Sequence, residues 1–178
     1  MADIQVHDKK FKTYLSASQI AEQVNRVATE INRDYQGKTP LFIAILNGCF
    51  MFASDLFKEL TIETEVCFVK LASYQGIKST GKVVTSIGMD VSIKGRDVII
   101  IEDIVDTGKT LYEFLPQLVD QNPASLKIAT LLYKPEALVH PIDLHYVGFE
   151  VPNKFLLGYG LDYDGIARNL NQIYQLID

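Results

Sequence analysis

The run Val98 to Ile101, four consecutive apolar residues in VIIIEDIVDTGKTL, narrows the possible folds more than any other part of the chain. Such a run has no polar face to turn to water, so it predicts a strand covered on both sides, the kind found inside parallel sheets. LFIAIL (Leu41 to Leu46) has the same character; it ends at Asn47-Gly48, and CFMFASDLFKEL beyond it is long enough for a helix. Upstream, Ser16 and Gln19 stand at capping-box spacing. Ile20, Val24, Val27 and Ile31 then recur on one helical face until Gly37 and Pro40 end the pattern. Glu63 to Ala72 has strand character, and Ser73 to Gly95, rich in Gly, Ser and Lys, reads as a mobile loop or loose hairpin. Leu111 to Asp120 reads as a helix, LKIATLLYK as a third covered strand and LHYVGFEV as a fourth. Strands alternating with helices predict an α/β fold with a parallel sheet, whose ligands sit beyond the carboxyl ends of the strands.

A chain of 178 residues suits one domain with a sizeable core, and no repeat or linker divides it. The balance of 48% hydrophobic and 22% charged residues excludes a disordered or fibrous chain. A formal net charge of -5 argues against nucleic acid as the main partner, because that binding draws on Lys and Arg. Cys49 and Cys67 both lie in apolar runs and are expected as buried thiols in a reducing compartment. No stretch has the apolar core of a signal peptide or the roughly 18 apolar residues of a membrane span, so the expected location is cytoplasmic, with no membrane partner.

Chemistry is expected where the Val98–Ile101 strand ends, with Glu102 and Asp103 emerging there and Asp106 one turn further on. Such clustered carboxylates repel one another, and become useful where a divalent cation or sugar hydroxyls take up the charge. The alternative is a helix N-terminus carrying acids that suit its dipole. Thr107-Gly108-Lys109-Thr110 favours the ligand site: Gly admits close backbone approach, and the Thr hydroxyls add donors where a helix begins with its amides free. A nucleoside-triphosphatase P-loop is excluded, since it needs Gly five positions before Gly108 and position 103 is Asp. His7, His140 and His145 have no metal-ligand spacing and receive no role.

An apolar strand followed by Glu-Asp, two apolar residues and Asp-Thr-Gly-Lys-Thr resembles the phosphoribosyl-pyrophosphate signature of type I phosphoribosyltransferases. From LFIAILNG through LASYQG to KFLLGYGLDYDGIARNL, the chain resembles the hypoxanthine(-guanine) branch of that family over nearly its whole length. The resemblance implies a central, mostly parallel sheet flanked by helices. It also implies a small hood from the N- and C-terminal segments, a flexible lid loop at about 73–95, and assembly as a homodimer or homotetramer.

The resemblance also implies a role for each matching residue. Glu102 and Asp103 would contact the ribose hydroxyls, directly or through Mg²⁺, and Asp106, Thr107, Gly108, Lys109 and Thr110 would wrap the 5′-phosphate. Asp106 would also lie near the purine N7, as a carboxylate able to take the proton the base loses. Leu46, Asn47 and Gly48 would bind pyrophosphate through backbone amides, with the bond after the Leu often cis. Many members have Lys where this chain has Asn47, so the loop here would add no side-chain charge. Arg168, in a segment expected as helix, would meet pyrophosphate, and Ser73-Tyr74 would lead into the lid. Lys134 would donate to the purine 6-oxo group and disfavour the 6-amino group of adenine. Phe155 would stack on the base, the Leu156 backbone would read its edge, and Asp162 would be a protein ligand of Mg²⁺. Without the resemblance, Lys134 reads as a strand-end lysine in solvent, Arg168 as a surface arginine, and Phe155 and Leu156 as core.

The expected activity is transfer of the phosphoribosyl group from phosphoribosyl pyrophosphate to hypoxanthine and guanine. One rival is a regulator on the same fold that binds nucleic acid, which the acidic charge disfavours. Another is a receiver-type signalling domain, which would place its acidic pair near the first strand, whereas that strand ends in Leu46-Asn47-Gly48.

Overall fold

A computed structural model describes residues 3–73, 83–87 and 89–177, with the side chains of 72, 73 and 83–87 left aside. In chain order the elements are β1 (Ile4–Val6), β2 (Lys9–Leu15), α1 (Ala17–Asp34), β3 (Leu41–Leu46), α2 (Phe50–Glu59), β4 (Glu65–Ser73) and β5 (Val83–Ile87). There follow β6 (Asp97–Val105), α3 (Lys109–Val119), β7 (Ser125–Tyr133), β8 (Tyr146–Glu150), β9 (Leu156–Leu157) and β10 (Ile173–Leu176).

The larger sheet has the order β5-β4-β3-β6-β7-β8, parallel except for β5, which pairs antiparallel with β4. Its middle is dry because β3 and β6 are apolar on both faces: Leu41 to Ala44 and Val98 to Ile101 are all fully buried. On one face Phe42, Ala44, Ile99 and Ile101 pack against α1 and α2. On the other, Ile43, Val98 and Ile100 pack with Leu111, Phe114 and Leu118 of α3. The α1 stripe is the one expected, Ile20, Val24, Val27 and Ile31, joined by Ala28. Its capping box forms as well: the Gln19 amide donates to Ser16 Oγ at 3.3 Å, and the Ser16 amide to Gln19 Oε1 at 2.9 Å.

A second, four-stranded antiparallel sheet of order β1-β2-β10-β9 joins the N-terminal segment to the C-terminal one. This is the hood that the family resemblance implied. Its own small core gathers Val6, Phe11 and Leu157.

Two sequence expectations need correction. β6 does not end at Ile101 but runs to Val105, so Glu102 and Asp103 lie within the strand, with Glu102 opposite Thr130 of β7. Glu102 is accordingly 7% exposed, not at a solvated rim. Of the mobile loop or loose hairpin expected over Ser73 to Gly95, the described residues show the hairpin: Val83–Ile87 is a strand paired antiparallel with β4, and Ile93 is fully buried in the α3-side core. Arg168 lies in a turn, not a helix. Asp164 and Ala167 have φ of 49° and 74°, and Gly165 88°, values that no right-handed helix contains. No helix among the described residues is long and apolar enough to cross a membrane.

Candidate active site

The carboxyl ends of β3, β6 and β7 bring the predicted groups to one edge of the sheet. Glu102 and Asp103 are adjacent and deeply placed. Burial pushes the Glu102 carboxyl well above its usual range, and the neighbouring Asp103 charge pushes it further. Asp103 is also raised by burial, partly offset by the hydrogen bond from Glu102. Two carboxylates that cannot both stay charged without help form a site for a cation or for donor hydroxyls.

After Val105 the chain turns sharply into α3. Gly108 takes φ +77° as the residue before the helix, and a Cβ there would stand 2.6 Å from the His140 carbonyl oxygen. Glycine is therefore required on two counts. The amides of Val139 and His140 both donate to the Thr107 carbonyl at 3.0 Å, which turns that peptide's carbonyl outward. What remains is a hollow of about 80 Å³ lined by Glu102 and the run Ile104 to Leu111, at the N-terminus of α3, where the Lys109 amide donates to Thr107 Oγ1 at 3.3 Å. Lys109 reaches along the helix toward Glu113, at 3.8 Å.

Lys134 follows β7 and is 6% exposed, which overturns its reading as a solvent lysine. Its amide donates to the Val105 carbonyl at 2.9 Å, and its ammonium donates to Asp106 Oδ2 at 2.8 Å. Thus the two side chains expected to meet the purine meet each other, at the rim of the phosphate hollow.

The Leu46–Asn47 peptide is cis. Gly48 follows with the Asp103 carboxylate occupying the place where a Cβ would sit, so this Asn-Gly pair is more than a surface turn. Cys49 is buried behind it, its thiol pushed up by burial, and both cysteines are free, as expected of core thiols.

From the hood side, Gly160 lies against the Gly48 carbonyl with no room for a side chain. Arg168 Nη1 donates to the Gly160 carbonyl at 2.7 Å, and its Nη2 meets Asp162 Oδ1 at 2.7 Å. Asp162 Oδ2 accepts from the Gly165 amide at 2.7 Å. Arg168 is near enough to Asp103 to pull its carboxyl down. Among the described residues no three His, Cys, Asp or Glu side chains form a ready-made metal cage. The hard oxygen donors Glu102, Asp103 and Asp162 nonetheless suit Mg²⁺, provided a substrate supplies the other ligands; each oxygen of Asp162 keeps an unused lone pair.

Phe155 is 43% exposed and held at its edges by Phe11 and Tyr163, at 6.2 and 5.7 Å between ring centroids. Leu156 has a buried side chain, as the bare sequence suggested, yet its backbone is on an open edge. The Leu176 amide donates to the Phe155 carbonyl, so alternation along the β9–β10 ladder turns the Leu156 amide and carbonyl away from β10. Ser73 ends β4, opposite Val83; Tyr74 lies outside the described residues, as do 75–82 and 88 of the expected lid. The sequence did not point to Tyr159 or to the Val139–His140 strap. A Tyr between two glycines in GYGLDYDG is the signal that could have marked the first.

A parallel sheet with a hood, an acidic pair and a phosphate-sized turn at its carboxyl edge define a phosphoribosyl-transfer site, and the chain belongs to the phosphoribosyl transferase domain family, whose model matches residues 11–164. Within it, the chain is 40% identical over 160 residues to the hypoxanthine-guanine phosphoribosyltransferase of Lactococcus lactis, spanning 89% of this chain and 87% of that one. It is 39% identical over 166 residues to the enzyme of the same name from Mycobacterium bovis, spanning 89% and 82%. A crystal structure of a Staphylococcus aureus hypoxanthine phosphoribosyltransferase superposes with a TM-score of 0.88 at 38% identity, covering 93% of this chain and 91% of that one.

Proposed function

We propose that this protein is a purine salvage enzyme that transfers the 5-phosphoribosyl group from phosphoribosyl pyrophosphate to hypoxanthine, giving IMP and pyrophosphate, and to guanine, giving GMP. The observation that carries this is the pairing of buried Lys134 with half-exposed Asp106 at the rim of the phosphate hollow. It offers one cationic donor and one anionic acceptor beside each other, matching the 6-oxo and N7 edge of a 6-oxopurine.

The residues divide the work as follows. Amides and hydroxyls around Thr107 to Thr110 hold the 5′-phosphate, and Glu102 and Asp103 hold the ribose hydroxyls. On base binding, Lys134 turns from Asp106 to the 6-oxo group, which frees Asp106 to accept the base proton. The Leu156 backbone, off the open edge of β9, reads the purine edge while Phe155 stacks on its face. The bond from the ring nitrogen to ribose C1 forms as the bond from C1 to the pyrophosphate oxygen breaks; the electron pair leaves with pyrophosphate. Arg168 and the Asn47-Gly48 amides receive that charge. Asp162 and the Glu102–Asp103 pair, together with substrate oxygens, would hold Mg²⁺, which would supply positive charge to the leaving group.

Purified protein with Mg²⁺, phosphoribosyl pyrophosphate and hypoxanthine should form IMP and pyrophosphate in equal amounts, with turnover abolished by EDTA. Absence of IMP would refute the assignment. The nucleic-acid-binding regulator finds no comparable support.

A further inference from the structure

Gly158, Tyr159 and Gly160 have φ of 92°, 48° and 100°, three successive residues on the left-handed side of the backbone map. Glycine enters that region freely; a bulky aromatic does so only where its surroundings hold it there. Tyr159 is 4% exposed, and its hydroxyl crosses to α2, where it donates to Asp55 Oδ2 at 2.7 Å. Its amide donates to the Leu170 carbonyl at 2.7 Å, and the next amide, of Gly160, to the Arg168 carbonyl at 2.9 Å. The ring is thereby anchored on the helix that follows the Asn47-Gly48 loop, while the backbone beside it lies on that loop.

We propose that Tyr159 is a positioning residue for the pyrophosphate end of the site, acting through its hydrogen bond to Asp55; this rests on the proposed function for the identity of the ligand. The bond fixes the turn that sets Gly160 on the Gly48 carbonyl, and the Gly160 carbonyl in turn holds the Arg168 guanidinium, which is paired with Asp162. One half-buried contact, whose Asp55 Oδ1 also pairs with Lys58 at 2.7 Å, thus sets the distance between the pyrophosphate loop and the arginine that faces the same phosphates. A hollow of about 280 Å³ between α1 and α2 borders Tyr159 and Asp55, so the ring has room to shift once its hydroxyl is lost.

The test is pyrophosphate binding by calorimetry in the presence of Mg²⁺, with IMP binding as the control, in wild type, Y159F, D55A and D55N. Y159F and D55A should each weaken pyrophosphate about tenfold, as loss of a buried hydrogen bond to a charged group would. IMP affinity should hold, because its phosphate sits in the separate α3 hollow. The Y159F/D55A double variant should be no weaker than either single one, and D55N, which keeps an acceptor oxygen, should restore most of the affinity. Equal pyrophosphate affinity in wild type and Y159F, or equal weakening of pyrophosphate and IMP, would overturn the role of Tyr159. Binding is read without turnover, so failure to make IMP from hypoxanthine bears on the proposed function and not on this contact.

Discussion

At the scale of single residues, the site depends on buried groups sharing charge. With Asp106 as the proposed acceptor of the base proton, D106N should lower kcat far more than it raises the KM for phosphoribosyl pyrophosphate; equal effects on both would assign Asp106 to binding alone. Lys134 is the proposed source of the preference at the purine 6-position. K134A should bring the kcat/KM values for hypoxanthine and adenine closer by about tenfold or more, since a missing charged donor removes a discriminating hydrogen bond. The identities of Glu102, Asp103, Asp106 and Lys134 were legible in the sequence, because short motifs carry them. Their partnership was not. Nothing local to Lys134 says that it is buried, or that its ammonium closes on Asp106, since a parallel sheet brings those strand ends together from distant parts of the chain.

At the scale of elements, the covered strands were legible for a simple reason: β3 and β6 are apolar on both faces, and no other environment accepts them. The same held for α1, whose cap and stripe agree. S16A should destabilise the protein by roughly 1 kcal/mol, read as a lower midpoint in urea with unchanged slope; no change would mean that the cap is idle. The hood strands were not legible from pattern. β2 reads KKFKTYL and buries only Phe11 and Leu15, β9 has two residues, and their pairing joins the two ends of the chain. The Arg168 segment misled for the opposite reason: ARNLNQ is compatible with a helix in composition, and the left-handed residues before it decide otherwise. G108A should raise the KM for phosphoribosyl pyrophosphate more than that for hypoxanthine, because the added carbon meets the His140 carbonyl and distorts the phosphate turn. Equal KM changes for both substrates would contradict that division.

For the whole molecule, the end of the large sheet opposite the site is tied by a polar cluster. Asp34, at the end of α1, accepts from Tyr146 of β8 at 2.8 Å and pairs with Lys127 of β7 at 3.4 Å; Asp97 of β6 accepts from Ser125 of β7 and pairs with Lys38 at 3.1 Å. The Tyr146 hydroxyl holds Asp34 below its ordinary value of 3.8, and the Ser125 hydroxyl does the same for Asp97. Carboxyls depressed by folding stabilise the folded state above pH 3.8, and that contribution drains away as pH falls below 3.8 through the depressed values. D34N should therefore lower the thermal midpoint at pH 7 and flatten its fall on further acidification. A parallel fall in both proteins would rule out this source of acid sensitivity.

The parallel sheet, the phosphate turn and the hood together make a site for joining a phosphoribosyl group to a 6-oxopurine. The most direct measurement is kcat/KM for hypoxanthine and adenine, side by side, at saturating phosphoribosyl pyrophosphate and Mg²⁺. Hypoxanthine should be used at least about 100-fold more efficiently, since a site built around a buried donor rejects a base that offers a second donor in its place. Adenine used as well as hypoxanthine, or neither base used, would contradict the account.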